Sequence, residues 1–221
     1  MTPAHAATPY AAVAFDMDGL MFDTEDVYWK AADALLKRRG FAYTQELCDR
    51  IMGRPPEYCF TQFKEHFSLP ESWQELQQES EDLFLQLLDD GFSMMPGLPE
   101  LLAYLEKRGI PKGICTSSAA RVAGEVLQRY QMPPRFQFIM TAEDITRGKP
   151  DPQIYLRAAE RFGIEPGRMV VLEDSVAGIA AATAAGTLAV AVLAEHNRKN
   201  DYSQAALVVE RLDDPRILAL F

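Results

Sequence analysis

Short apolar runs alternate with amphipathic runs of helical length through the second half of this 221-residue chain. Strands are predicted at 112–115, 136–141, 169–172, 188–193 and 207–209, and the helices between them at 98–108, 120–130, 153–162 and 176–185. Strands that alternate with helices form right-handed crossovers, which produce a parallel sheet covered on both faces. The pattern therefore predicts an α/β fold with a Rossmann-like, three-layer parallel sheet core.

The first strand of this fold is predicted from the apolar run 11–15, far from the other strands in sequence. Between them, residues 23–91 show only helical spacing of apolar residues, with helices predicted at 25–39, 45–52, 56–67 and 73–90. We interpret this block as an all-helical cap inserted into the core. The predicted domains are a cap at 22–93, a core at 10–21 and 94–221, and a disordered Ala- and Pro-rich tail at 1–9.

Composition and charge exclude several classes of function. The formal net charge of −10 argues against a nucleic-acid partner, which clustered Lys and Arg would bind. No apolar run approaches the ~20 residues of a membrane span, and the N-terminus lacks the pattern of a signal peptide. The three cysteines show no spacing typical of a disulfide framework or zinc site. We expect a cytoplasmic protein, monomeric or weakly homo-oligomeric.

Two carboxylates, Asp16 and Asp18, stand where the first predicted strand ends. Open α/β sheets bind ligands at the C-terminal ends of their strands, so both side chains should lie at the mouth of a crevice. Neighbouring carboxylates repel each other unless a cation lies between them, and Mg²⁺ favours oxygen ligands. A simple turn at Asp18-Gly19, with Asp16 as a loop or capping residue, fits this pair equally well.

Two more polar groups follow later predicted strands. Thr116, Ser117 and Ser118 lead into a helix, where hydroxyl and N–H groups either bind an anion such as phosphate or only cap the helix. Lys149 lies in a loop that Pro150 and Pro152 stiffen. It could balance carboxylates and phosphate, or be an ordinary exposed lysine.

A pair of acids, Glu173 and Asp174, ends the predicted strand 169–172. With Asp16 nearby, the pair would complete an oxygen cage for Mg²⁺. The alternative is that Asp174 or Ser175 caps the following helix.

These groups, in this order, resemble the motifs of the haloacid dehalogenase superfamily of Mg²⁺-dependent phosphotransferases. The resemblance rests on D-x-D-G at 16–19, Thr116, Lys149 and Glu173-Asp174, and it covers nearly the whole chain after the tail. The helical cap has the position typical of the β-phosphoglucomutase and phosphoglycolate phosphatase-like branch. The resemblance implies a Mg²⁺-dependent phosphatase of a small phosphorylated metabolite, such as a sugar or nucleoside monophosphate.

The same resemblance implies the roles of the site residues. Asp16 would attack phosphorus and become an aspartyl phosphate. Asp18 would protonate the leaving alkoxide and then activate the water that hydrolyses the intermediate. The remaining implied roles are phosphate binding by Thr116, Ser117 and Lys149, and metal binding by Asp16, Asp18, Glu173 and Asp174.

Three cap residues, Glu25, Tyr28 and Arg54, are candidates for substrate contact. Each could instead serve an ordinary role, as a first-turn acid, a half-buried helix residue and a surface charge. In β-phosphoglucomutases the position of Tyr28 holds a histidine, and positions near Met52 and Pro56 hold a lysine and an arginine.

None of those mutase residues is present here, which favours hydrolysis over the alternative of a phosphohexomutase. A second alternative is a non-catalytic regulatory binding protein that retains the fold. The intact set of acids argues against it, because a binding module has little use for repelling carboxylates.

Overall fold

The computed structural model describes residues 10–51 and 54–221. The predicted tail at 1–9 lies outside the described residues. The first element, β1 (Ala12–Phe15), is completely buried, as expected for a central strand of a parallel sheet.

Four helices follow β1 before the chain returns to the sheet. They are α1 (Glu25–Lys37), α2 (Gln45–Ile51), α3 (Pro56–Phe67) and α4 (Trp73–Leu87). A capping box between Ser72 and Glu75 begins α4, which passes into a 3₁₀ turn at Leu88–Asp90 instead of continuing as an α-helix. We refer to α1–α4 as the helical block. Its behaviour as a separate cap stays a prediction.

The rest of the chain alternates between helices and strands as predicted. In order, the elements are α5 (Leu98–Lys107), β2 (Lys112–Cys115), α6 (Ala120–Arg129), β3 (Phe138–Met140), α7 (Gln153–Phe162), β4 (Met169–Glu173), α8 (Val176–Ala184), β5 (Leu188–Val192), β6 (Leu207–Val209) and α9 (Pro215–Leu218). Strand β3 is shorter than the predicted 136–141, because a 3₁₀ turn precedes it and a capping box at Thr141 ends it. Among the helices of the described residues, none is long and apolar enough to cross a membrane.

All strand pairs of the described sheet are parallel, in the order β3-β2-β1-β4-β5-β6. The first strand therefore lies between β2 and β4, and Phe15 pairs with Ile114 on one side and Leu172 on the other. The strand order reverses direction at β1, which is where open α/β sheets form a binding crevice. This confirms the predicted α/β fold and the place where a site is expected.

Both faces of the sheet are covered. Along β1, Val13 and Phe15 face one hydrophobic cluster, which continues into α5, α6 and the helical block, while Ala14 faces the other, which contains α7 and α8. This two-residue alternation is the pleat of a strand. With both faces packed, the polar residues at the strand ends lie at the open edge of the sheet.

Candidate active site

Three carboxyl groups of the described chain meet at the C-terminal edge of the sheet. Asp16 follows β1, Glu173 ends β4, and Asp174 comes next. The backbone N–H of Asp16 donates to the carbonyl of Leu172 at 3.0 Å, which joins the two strand ends. One oxygen from each carboxyl group lies within 4.8 Å of the others, and all three residues are buried.

A buried lysine lies among these acids. The ammonium of Lys149 donates to Asp16 Oδ1, to Glu173 Oε1 at 2.6 Å and to the carbonyl of Cys115 at 3.1 Å. Burial alone would lower the pKa of Lys149, but the charges of Asp16 and Glu173 outweigh it and raise the pKa above its ordinary value. Lys149 is therefore a permanently charged part of the cluster and not an exposed lysine.

Glu173 is held on both of its oxygens. Besides Lys149, Oε1 accepts from the Tyr155 hydroxyl at 2.6 Å, and Oε2 accepts from the Ser175 N–H at 3.1 Å and its hydroxyl at 2.9 Å. The carboxylate lies against the backbone of Gly178, where any side chain would collide with it. Glu173 thus belongs to the acidic cluster, but its hydrogen bonds make it an anchor for Lys149.

The carboxyl group of Asp18 points to hydroxyl groups. Oδ1 accepts from Thr24 at 2.9 Å, while Oδ2 accepts from Ser118 at 2.6 Å and from Thr116 at 3.4 Å. Burial raises the pKa of Asp18, against the opposing effect of these hydrogen bonds. Three hydroxyl groups therefore fix the position of the Asp18 carboxyl group.

Ser118 donates to Asp18, a contact that the sequence did not indicate, while Ser117, the serine predicted to bind phosphate, lines the adjacent cavity. Neither serine caps α6 by its side chain. The cap position is Ala119, and the N–H of Ala120 donates to the carboxylate of Glu143 at 3.0 and 3.1 Å. At α8, by contrast, the predicted cap by Ser175 is confirmed, because its hydroxyl accepts from the N–H of Gly178 at 3.0 Å.

Sequence reasoning missed a group of residues that holds Asp174. His196 Nε2 lies 3.1 Å from Asp174 Oδ2, while Asn197 donates to the Asp174 carbonyl at 2.9 Å and the Tyr202 hydroxyl donates to the same carbonyl. All three follow β5, so their position after a predicted strand was the available signal. On the other side, a Cβ at Gly19, which has φ +74°, would collide with the carboxyl group of Asp174.

The electrostatics of the cluster favour a cation. Burial, together with the negative charge of Glu173, raises the pKa of Asp16 and of Asp174 well above the usual range, although Lys149 acts in the opposite direction. One ammonium cannot balance three buried carboxylates. A donor set made of carboxylate oxygens suits a hard divalent ion.

Asp16, Asp18 and Asp174 also line an open cavity of about 890 Å³ between the sheet edge and the helical block. Three helices of the helical block each contribute four residues to the lining of this cavity. The four residues are spaced i, i+3, i+4 and i+7, so they lie on one face of their helix. These residues are Glu25, Tyr28, Trp29 and Ala32 on α1; Pro56, Cys59, Phe60 and Phe63 on α3; and Gln77, Ser80, Glu81 and Phe84 on α4.

The three predicted cap residues all line this cavity. The Tyr28 hydroxyl lies 2.9 Å from the Ser118 hydroxyl and so joins the network of Asp18. Burial and the charge of Asp174 raise the pKa of Glu25 to about 7, while His196 opposes the shift. Arg54 is exposed, and its guanidinium lies 5.3 Å from the ring centre of Tyr58.

A family model and two curated relatives show which family this chain is similar to. Residues 13–192 match the family described as haloacid dehalogenase-like hydrolase. A phosphorylated carbohydrates phosphatase of Thermotoga maritima is 34% identical over 179 residues, which cover 79% of this chain and 81% of the relative. A probable pseudouridine-5′-phosphatase of Drosophila melanogaster is 33% identical over 206 residues, covering 90% and 89%.

A solved structure gives the same fold. The crystal structure of CbbY from Rhodobacter sphaeroides in complex with phosphate superposes with a TM-score of 0.86, at 21% identity, and covers 93% of this chain and 96% of that chain. The parallel sheet and its helices are therefore shared with it, and the family resemblance inferred from the motifs is confirmed.

Proposed function

Because this chain belongs to the haloacid dehalogenase-like hydrolases and is a phosphoric monoester hydrolase, we propose that it hydrolyses a small phosphorylated metabolite through an aspartyl phosphate on Asp16. The observation that carries the proposal is the position of Asp16, between the ammonium of Lys149 and the carboxyl group of Asp174. A carboxylate used only for folding would not need both a buried cation and a repelling acid beside it.

Asp16 is the nucleophile of this proposal. Lys149 holds one oxygen of its carboxylate by a hydrogen bond, which fixes the side chain and supports its ionised form against burial. Attack by the other oxygen forms the bond to phosphorus, and the bond from phosphorus to the leaving alkoxide breaks.

Asp18 is the proposed acid and base. Burial raises its pKa, which makes it easier to protonate before the alkoxide departs, and the hydroxyls of Thr24 and Ser118 hold the carboxyl group in place. After giving up its proton, the carboxylate can take one from the water that attacks the aspartyl phosphate. One residue then serves both half-reactions.

Phosphate binding is assigned to Thr116, Ser117 and Lys149. Thr116 and Ser117 follow β2, on the side of β1 opposite to Asp174, so a phosphoryl group at Asp16 would lie between these hydroxyl groups and the proposed metal ligand. The charge of Lys149 would stabilise the negative charge that develops on the transferring oxygens.

The metal of this proposal is Mg²⁺, held by Asp16 and Asp174, with Asp18 contributing and Glu173 in the second layer behind Lys149. The residues fit the ion, because one carboxylate oxygen from each of Asp16, Glu173 and Asp174 lies within 4.8 Å of the others and all three residues are buried. When bound, the ion supplies Lewis-acid stabilisation of phosphoryl oxygens.

We also assign the helical block at 22–93 the role of a cap over the core at 10–21 and 94–221. Two ion pairs join α4 and its following turn to α6, Asp82 with Arg121 at 2.6 Å and Asp89 with Arg129 at 2.7 Å. Exposed pairs of this kind break at low cost, so they permit opening for exchange of substrate and product.

A phosphate-release assay over a panel of metabolite phosphates tests the function. We expect release from several phosphomonoesters with Mg²⁺, and background release after Asp16→Asn or in EDTA. Glucose 1-phosphate with a bisphosphate activator is included, because isomer conversion without phosphate release would indicate a mutase. Full turnover by Asp16→Asn would refute the nucleophile.

A further inference from the structure

Resting on the proposed phosphatase function, we propose that the substrate is a nucleoside 5′-monophosphate whose base stacks on an aromatic wall in the helical block. The wall consists of Trp29, Tyr43 and Phe60, all of which line the cavity that Asp16 and Asp18 also line.

The three rings form one connected surface. The ring centres of Trp29 and Tyr43 lie 4.7 Å apart, Tyr43 and Phe63 lie 5.9 Å apart, and Phe60 and Phe63 lie 5.6 Å apart. Phe63 also borders the cavity but is only 2% exposed, so it joins Tyr43 to Phe60 and supports both rings from the core of the block. The wall is therefore braced from behind, while its own members are half-buried.

Half-buried rings that face a large cavity have apolar surface left to cover. A nucleobase covers such rings by stacking, which works for every base because each has a π-face. A compact sugar phosphate without an aromatic group would leave the wall in contact with water. The cavity of about 890 Å³ has room for the larger compound.

The charges around the cavity favour a neutral leaving group. Outside the catalytic cluster, the acidic side chains among the described lining residues outnumber the basic ones, and both basic ones are exposed. The acidic ones are Glu25, Asp26, Asp49, Glu81 and Glu195, and the basic ones are Arg54 and Lys199. A second phosphate would meet mostly repulsion, whereas carboxylate oxygens can accept hydrogen bonds from ribose hydroxyls.

One member of the aromatic wall, Trp29, adjoins in sequence a residue that contacts the Asp18 network. Trp29 follows Tyr28 on α1, and the Tyr28 hydroxyl contacts Ser118, which donates to Asp18. A 5′-phosphate at Asp16 and a base at Trp29 would therefore be separated by a short polar segment, where a ribose would lie.

The first test compares uridine 5′-monophosphate with ribose 5-phosphate, because only the base differs. We expect kcat/KM to be at least about fivefold higher for the nucleotide, the ratio that corresponds to the lower end of the roughly 1–3 kcal/mol for stacking on an aromatic side chain. Trp29→Leu should reduce this ratio to near one. Trp73→Leu is the matched control, because Trp73 begins α4 outside the described residues that line the cavity, and it should keep the ratio.

The second test measures binding in proteins that also carry Asp16→Asn, so that the nucleotide is not hydrolysed. The chain has two tryptophans, so Trp73→Phe leaves Trp29 as the only one and Trp29→Leu leaves Trp73. Uridine 5′-monophosphate should quench the fluorescence of Trp29 and leave that of Trp73 unchanged, and ribose 5-phosphate should quench neither.

The outcomes separate this inference from the function on which it rests. Release of phosphate from no compound, p-nitrophenyl phosphate included, would refute the phosphatase, and the quenching experiment would still decide whether a base stacks on Trp29. Equal kcat/KM for the two substrates, or no quenching of Trp29 by the nucleotide, would overturn the aromatic wall as a base site.

Discussion

The hydroxyl of Tyr155 donates to Oε1 of Glu173 at 2.6 Å, the same oxygen that accepts from the ammonium of Lys149 at 2.6 Å. Tyr155 lies on α7 and Glu173 ends β4, and both are completely buried. Glu173 thus positions Lys149, the proposed phosphate-binding lysine, and Tyr155 of the helix layer on one face of the sheet positions Glu173. Because metal and phosphate sites depend on such supporting contacts, the pair should matter for both stability and activity.

Tyr155→Phe should lower the free energy of unfolding by about 1–2 kcal/mol, because a buried carboxylate loses one donor while the ring keeps its packing. We expect kcat to fall by about tenfold as Lys149 loses its fixed position. Chemical denaturation and phosphate release measure the two effects. Tyr104→Phe is the control, since it removes a hydrogen bond of 2.8 Å to the Leu218 carbonyl elsewhere and should change stability alone. Equal kcat in the two variants would contradict the positioning role.

Gly178→Ala should destabilise the protein although alanine is the better helix former by about 1 kcal/mol. Its Cβ would collide with the carboxylate of Glu173, which Lys149, Tyr155 and Ser175 hold in place. Thermal unfolding measures the effect. Gly124→Ala on α6 is the matched control, because nothing lies within 4 Å of its added Cβ, and it should be neutral or stabilising. A stabilised Gly178→Ala would mean that Glu173 can move away freely.

Much of the site could be anticipated because parallel strands end at one edge. The runs that form β1, β2 and β4 are short, and parallel strands end at the same edge of the sheet, so we expect the polar residues that follow them to converge. The positions of Asp16, Thr116 and Asp174 after these strands therefore predicted that the three residues lie at one edge of the sheet.

Contacts between side chains from distant segments were harder to foresee. The hydrogen bond from Ser118 to Asp18 depends on how the chain turns after β2. Tyr155 looked like one apolar position of a helix, and nothing in its spacing indicated that its hydroxyl would meet Glu173. Such contacts depend on the packing of whole layers, which periodicity in one segment does not encode.

Glu79 should stabilise the protein at neutral pH and lose that effect in acid. Its carboxylate on α4 pairs with Arg39 after α1 at 2.6 Å and with Arg38 at 2.8 Å, and the hydrogen bond from Arg39 lowers the pKa of Glu79. A lowered pKa means that the contribution is complete above the unfolded value of about 4.3 and disappears as pH falls through the folded value.

We therefore expect Glu79→Gln to lower the free energy of unfolding by about 0.5–1 kcal/mol at pH 7, a value typical of partly exposed ion pairs. The difference from the unmodified protein should shrink toward zero below about pH 4. Denaturation curves at several pH values measure it, with the exposed Glu165→Gln as control. A difference that stays constant down to pH 3 would rule out the ion pair as its source.

Mg²⁺ should raise the melting temperature of the protein, because a cation relieves the repulsion among Asp16, Glu173 and Asp174 and binds only the folded arrangement. At a free concentration 100 times the dissociation constant, the stabilisation should be about 2.7 kcal/mol, and EDTA should reverse it.

Asp174→Asn should lose most of this response. Its melting temperature without metal should be equal or higher, because the substitution removes one buried charge from a cluster that Lys149 balances only in part. A weaker Mg²⁺ response together with an equal or higher melting temperature distinguishes a lost metal ligand from a damaged fold. NaCl at matched ionic strength is the control for screening of charges. An equal Mg²⁺ response in both proteins would show that the ion binds elsewhere.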